Sequence, residues 1–258
     1  MISPLASVHP NAKIGKDVII DPFAYVEEDT VIGDGCHIYP HAAVLNGVRM
    51  GKNCNVHYSA VIGNIPQDLK FHGEYTTVEI GDNNNFREFC TVHRGTFSKE
   101  KTVIGSNNLI MSYCHVAHDC VLHDHIIMSN CVQLAGEVVV DDWAIIGGGT
   151  LAHQFCHIGA HCMVQGGSRV SKDIPPYIIA GREPLACCGL NLVGLRRRGF
   201  SSETIEFIKN IYDRLYRSGL NVSDALAAIR TEFAESPEKL TIVNFVENSS
   251  RGIIRAAD

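Results

Sequence analysis

Thirteen histidines and ten cysteines are the chemically active surplus of this chain, and several histidines sit in short segments beside acids, amides or arginines. His115-Val116-Ala117-His118-Asp119-Cys120 places two histidines and an aspartate within five positions. Imidazole titrates near neutral pH, so such a segment suits a general base that deprotonates a hydroxyl. Gln67-Asp68-Leu69-Lys70 and His153-Gln154-Phe155-Cys156 offer polar groups for a ligand, although polar residues of this kind are more often simply solvated. Arg196-Arg197-Arg198 is the one concentrated basic run and could dock an acidic partner. His118-x4-His123 together with His93 loosely imitates a zinc-ligand spacing, and ten cysteines in a reducing compartment need either a metal or a structural explanation.

The element that must position these residues is a repeat. From Ile2 an aliphatic residue falls at every sixth position: Val8, Ile14, Ile20, Val26, Ile32, Ile38, Val44, Met50, Val56 and Ile62. The same frame resumes from Ile80 to Val170; Asp68, Glu74 and Ser98 alone break it, and they mark inserted loops at 64–77 and 94–103. A period of six fits neither a helix nor a lone amphipathic strand. Three hexads make a triangular coil whose neighbours pair as parallel strands, with a rise of about 4.8 Å per coil and the aliphatic residue on the axis. Corners need residues tolerant of positive φ, supplied in IGKD, IGDG, MGKN, IGDN and IGSN. Three hexads on, Gly136 lies over His118, which is expected to leave room there for a ligand.

The frame also explains the cysteines. Cys36, Cys54, Cys90, Cys114, Cys120, Cys156 and Cys162 all stand four residues after the aliphatic, a slot filled elsewhere by small residues such as Ala42, Ala60, Thr150 and Ser168. They read as compact buried packing rather than as metal ligands or redox centres. The repeat spans 1–175 and stops near Pro175-Pro176; a linker over 176–200 leads to a helical segment over 201–258. Ser201 or Ser202 caps a helix to Arg217 with Ile205, Ile208, Ile211, Tyr212 and Leu215 on one face, and further helices are expected over Ser223–Glu235 and Glu238–Ser249. The fold class is thus an all-β solenoid with a C-terminal α-helical cap that covers its open end. The net charge of −6 over 258 residues argues against a nucleic-acid binder, and neither a signal core nor a membrane-length apolar run is present, so a cytoplasmic protein without stable membrane insertion is expected.

Seven motifs in order, NxPQDLKFxGE, TVHRGT, HVAHDC, DDWAIIGG, HQFCHIGAH, DIPPY and GLNxxGLRRRGF, closely resemble those of the UDP-N-acetylglucosamine O-acyltransferases, over essentially the whole chain. The resemblance implies a homotrimer of left-handed parallel β-helices with active sites in clefts between subunits. It implies transfer of an (R)-3-hydroxyacyl chain from acyl carrier protein to the 3-hydroxyl of UDP-N-acetylglucosamine, the first step of lipid A biosynthesis. By the same matching, His118 is the general base, Asp119 supports it, and the backbone amide at Gly136 receives the thioester oxyanion. His115, Gln67, Asp68, Lys70, His93, Glu137, His153, Gln154, Asn191, Arg197 and Arg198 are implied contacts to the sugar nucleotide, donor or carrier protein. Met163 and Gly166 match positions that set acyl-chain length, and glycine at the latter suggests a long chain. No covalent nucleophile is evident; a direct ternary transfer needs no cofactor or metal.

Three positions depart from the family pattern: Val193 for a common glutamate, Glu137 for a sugar-site histidine, and Pro184 for a linker histidine. Uridine and acetamide contacts are therefore expected to differ, and a 3-amino sugar nucleotide stays an alternative acceptor. The later N-acyltransferase of the same pathway is disfavoured because hexads begin at residue 2. A zinc-dependent solenoid carbonic anhydrase and a non-catalytic scaffold are the rivals from other classes.

Overall fold

The structure, a computed structural model, describes residues 1–257. Its strands, most of them two residues long, stack into three sheets of nine, eight and ten strands that form the faces of a triangular prism. The first face runs from Ser7–Val8 to Arg169–Val170, the second from Lys13–Ile14 to His157–Ile158, and the third from Ile19–Ile20 through Met163–Val164. Coils pair in parallel register three hexads apart, as in Ser7 with Tyr25 and His115 with Gln133. Across the insertions Val61 pairs with Thr91, five hexads on, and Thr91 with His115, four hexads on. The first loop therefore adds two whole hexads and the second adds one, which is why the frame resumes without slipping.

In each two-residue strand the aliphatic of the hexad is the second residue and faces the axis; Val26, Ile38, Val56, Val92, Val116 and Leu134 are all buried. The seven framed cysteines are buried too, and all ten thiols are free. Several thiols donate to a carbonyl of the next coil, including Cys36 to Gly51 (3.2 Å), Cys90 to Met111 (2.9 Å), Cys114 to Ser129 (3.1 Å) and Cys120 to Ala135 (3.2 Å). The slot thus prefers a small residue and profits from a donor that satisfies a buried carbonyl. Asn84 and Asn108 exploit it fully: Asn84 Oδ1 accepts from the Asn108 amide (3.0 Å) and Asn108 Oδ1 from that of Ile126 (2.7 Å).

Positive φ falls on the third residue after the aliphatic, at Asp17, Asn53, Asn83 and Asn107, but also on the bulkier Phe23, Tyr113, Trp143, Phe155 and Tyr177. The glycine directly after the aliphatic serves another purpose. A Cβ on Gly51 would lie 2.7 Å from the Gly81 carbonyl oxygen and one on Gly105 2.7 Å from that of His123, so these glycines permit the close approach of successive coils.

Residues 176–200 carry structure of their own. Ile178–Gly181 continues the third face in parallel beside Met163–Val164, Ala186–Leu190 turns back against it, and helix α1 follows over Leu192–Arg197. Helices α2 (Ser202–Arg217), α3 (Val222–Glu232) and α4 (Pro237–Glu247) form the C-terminal segment, whose expected end at 258 lies outside the described residues. Ser201, Asn221 and Ser236 cap them by accepting from the amides of Thr204, Asp224 and Lys239. Helix α2 buries the five residues expected of it. Helix α3 stops before Glu235, since Phe233 is already extended, and α4 starts at Pro237, a favoured first helical residue. Tyr212 donates to the Pro176 carbonyl (2.6 Å) and the chain after α4 bridges Ile253 to Asp173, docking this segment on the solenoid's end.

Candidate active site

The strand His115–Val116 ends the first face of its coil and Val121–Leu122 begins the second, so His118 and Asp119 form the corner between them. Asp119 takes the left-handed conformation there, φ 60°. Its carboxylate is fully buried and surrounded by donors. Oδ1 accepts from the amides of Thr96 (2.9 Å) and Lys99 (3.2 Å); Oδ2 accepts from the Thr96 hydroxyl (2.6 Å) and lies 2.8 Å from His118 Nδ1. Facing a carboxylate, Nδ1 must carry the proton, which leaves Nε2 as a free base. His118 is 9% exposed, and its Nε2 lies 3.9 Å from Asp68 Oδ2.

The ring of His118 fills the space over Gly136. A Cβ at 136 would lie 2.5 Å from Nε2 and nearer still to Cε1, so glycine makes room for the base itself rather than for a ligand. Among the described residues the Gly136 amide donates to no carbonyl, whereas the next amide, Glu137, donates to His118 (3.0 Å).

Behind the base lie two more histidines. His115 Nδ1 is 2.7 Å from the Thr91 hydroxyl, and the His93 and His115 rings meet edge to face at 4.7 Å. Burial first, then the charges of His115 and His118, push His93 down to about 4. His115 is lowered too, chiefly by burial. His93 is 3% exposed and its Nδ1 has no hydrogen-bond partner among the described residues.

The inserted loops close this corner into a cavity of about 450 Å³ lined by Asp68, Lys70, Thr96, Phe97, Glu137 and Gln154, among others. Glu74 joins the loops by accepting from the amides of His72 (2.8 Å) and Phe97 (3.2 Å). Asp68 caps its own turn by accepting from the Lys70 amide (2.9 Å), while Gln67 and Lys70 are exposed. His153, exposed two coils beyond His118, has Nδ1 3.0 Å from the Gln154 carbonyl.

The remaining candidates lie elsewhere on the prism. Asn191 caps α1 and donates to the His161 carbonyl (2.9 Å), as does Arg198 (3.3 Å), which also lies over the Trp143 ring at 5.8 Å. His161 is at the corner between the second and third faces. Arg197 is exposed on α1. Met163 belongs to the third face, and Gly166 lies exposed at the corner from the third face to the first. A single chain therefore spreads its candidates over three corners. His123 faces Asp141 (3.9 Å) rather than His118, and no group of three or more possible metal ligands occurs among the described residues. The sequence reading missed Thr96, Lys99 and Thr102, whose hydroxyl accepts from the Asp119 amide (2.9 Å); the inserted loop was the signal that could have led to the first two.

Known proteins resemble this chain over nearly its whole length. Residues 173–254 match the profile described as UDP N-acetylglucosamine O-acyltransferase, domain 2, and residues 11–45, 29–64 and 101–136 match the bacterial transferase hexapeptide profile. An acyl carrier protein-dependent UDP-N-acetylglucosamine O-acyltransferase from Ectopseudomonas mendocina is 48% identical over 98% of this chain and 99% of its own. The crystal structure of a UDP-N-acetylglucosamine acyltransferase from Bacteroides fragilis superposes with a TM-score of 0.97 at 55% identity, covering 99% of this chain and 100% of that one. The Arabidopsis enzyme of that name reaches 0.88 at 36% identity over 99% and 100%.

Proposed function

We propose a mechanism from one premise: this chain belongs to the UDP-N-acetylglucosamine O-acyltransferases, left-handed parallel β-helix enzymes. It transfers a 3-hydroxyacyl chain from acyl carrier protein to the 3-hydroxyl of UDP-N-acetylglucosamine, the first step of lipid A biosynthesis. His118 Nε2 takes the proton of the sugar hydroxyl as its oxygen attacks the thioester carbonyl. Asp119 keeps the proton on Nδ1 and steadies the imidazolium that forms. The Gly136 amide donates to the oxyanion, and collapse of the tetrahedral intermediate expels the carrier's thiolate, which recovers the proton from His118.

Gln67, Asp68, Lys70 and Gln154 hold the sugar nucleotide in the loop-covered cavity, which Glu137 lines; His93 and His115 stand behind the base and His153 borders the site. Asn191, Arg197 and Arg198 meet the nucleotide or carrier across a subunit boundary, and Met163 and Gly166 border the acyl groove of a neighbour. The scatter of these residues over three corners supports a homotrimer with shared sites. The chain divides into a catalytic solenoid over 1–175, a linker over 176–200 and a helical segment over 201–258. No described helix is long and apolar enough to cross a membrane. A cytoplasmic enzyme is part of this reading.

The buried His118–Asp119 pair, with Nδ1 held by the carboxylate (2.8 Å) and Nε2 on the side of Asp68 (3.9 Å), carries the proposal. The test is acyl transfer from carrier-protein donors of graded length to UDP-N-acetylglucosamine, by wild type and His118→Ala. The variant should lose at least about 100-fold in kcat, in the range of general-base catalysis. A fully active variant refutes the assignment.

A further inference from the structure

Asp119 is fixed mainly by the second inserted loop, expected over 94–103 but ended at 100 by the strand Lys101–Ile104; the loop supplies three donors to its carboxylate: the Thr96 amide, the Thr96 hydroxyl and the Lys99 amide. Within the loop, the Ser98 amide donates to the Thr96 hydroxyl (3.2 Å) and that of Glu100 to the Thr96 carbonyl (2.7 Å). These bonds shape the loop, whose ends are tied to the neighbouring strand by the Gly95 amide donating to the Thr77 carbonyl (3.2 Å) and the Thr77 amide donating to the Glu100 carbonyl (3.0 Å). The Lys99 side chain adds a tie to the corner itself. Its Nζ lies 3.5 Å from the Asp119 carbonyl oxygen and 3.8 Å from Glu137 Oε2. Glu137 stands one coil beyond Asp119, at the same corner with φ 60°, and its amide is bound to the His118 carbonyl.

We propose that Lys99 and Glu137 are positioning residues: their ion pair straps the 94–100 loop onto the corner and thereby keeps Asp119 and His118 in reactive register. The proposal rests on His118 being the base. The pair is partly exposed, so its worth is in geometry and local charge rather than in stability. Charged or titratable groups around His118 are Asp119 and Asp68 nearest it, the His93 and His115 pair behind it, Lys70, His72, Glu74 and Glu137 around the cavity, and Lys99 on the Asp119 carbonyl.

The experiment compares full-length wild type with Lys99→Met, Glu137→Gln, the double variant and Lys99→Arg, measuring kcat, KM for UDP-N-acetylglucosamine, the acid limb of the kcat–pH profile and the melting temperature. Each single variant should lower kcat about tenfold with KM changed less than about twofold, as loosened geometry does. Removing the ammonium favours the imidazolium, so Lys99→Met should move the acid limb to higher pH. Removing the carboxylate should move it lower, and the double variant should return it near wild type. Lys99→Arg should restore most of kcat.

Unchanged kcat, or a loss confined to KM, overturns the proposal, the latter by making Glu137 a substrate contact. A lowered melting temperature with no movement of the acid limb also overturns it, as a structural role only. His118→Ala assayed alongside keeps the two readings apart: if it stays active, the base assignment has failed, whatever the pair does.

Discussion

The tightest test of the site geometry is a single methyl group. In Gly136→Ala the new Cβ would fall 2.5 Å from His118 Nε2, and the nearest ordinary van der Waals separation is about 3.4 Å, so the ring must withdraw by about 1 Å. It cannot do so freely, because Nδ1 is held at 2.8 Å from an Asp119 carboxylate that is itself bound by Thr96 and Lys99. Gly136 has no positive φ, so the backbone tolerates alanine and the whole conflict falls on the base. A displacement of about 1 Å at a reacting group costs on the order of 100-fold in rate, or about 2.7 kcal/mol of barrier. The assay is steady-state acyl transfer, with circular dichroism to check the fold. A thermodynamic cycle isolates the cause: in a His118→Ala background the methyl meets no ring, so the two substitutions together should cost less than the sum of each alone. A kcat for Gly136→Ala within about threefold of wild type would refute the reasoning, because the methyl would then have been absorbed without moving the base.

Two other predictions test the remaining architecture. Gly166 lies exposed with the backbone of Gly147 and Gly148 near its would-be Cβ, the closest atom being the Gly148 carbonyl oxygen at 3.0 Å, so Gly166→Met should fold with slight adjustment and shift preference toward shorter acyl donors; unchanged preference across a donor series sinks the ruler assignment. Of the ten thiols only Cys131 and Cys188 are exposed, and burial pushes Cys156 up to about 11 and Cys120 up to about 12, so a thiol reagent should label two cysteines quickly in the native protein and the rest only on unfolding. Rapid labelling of five or more means that the framed cysteines are not the packing residues described.

How much of this was legible in the sequence follows from the period. Once each coil takes three hexads, positions separated by three hexads share a corner, so Gly136 over His118, and Gln154 beyond it, could be read from residue numbers alone. The same arithmetic shows why one chain cannot bring Gly166 to His118: eight hexads separate them, two coils and two further faces, and the prism axis lies between them. Side chains on separate corners of a rigid close-packed core meet only if another copy presents its own corner, which is the physical ground for a shared site. Asn191 and Arg198 escaped such reading because they follow the end of the repeat, and their bonds to the His161 carbonyl depend on how the returning strand and α1 fold. Thr96 and Lys99 escaped it for the opposite reason. The loop that carries them adds one whole hexad, so the frame on either side is undisturbed and gives no sign that the loop folds back over Asp119. Only the positions interrupting the aliphatic frame betrayed it. In a solenoid, a register-preserving insertion is free to carry donors to a corner without cost to the stack, and here those donors hold the carboxylate that orients the base.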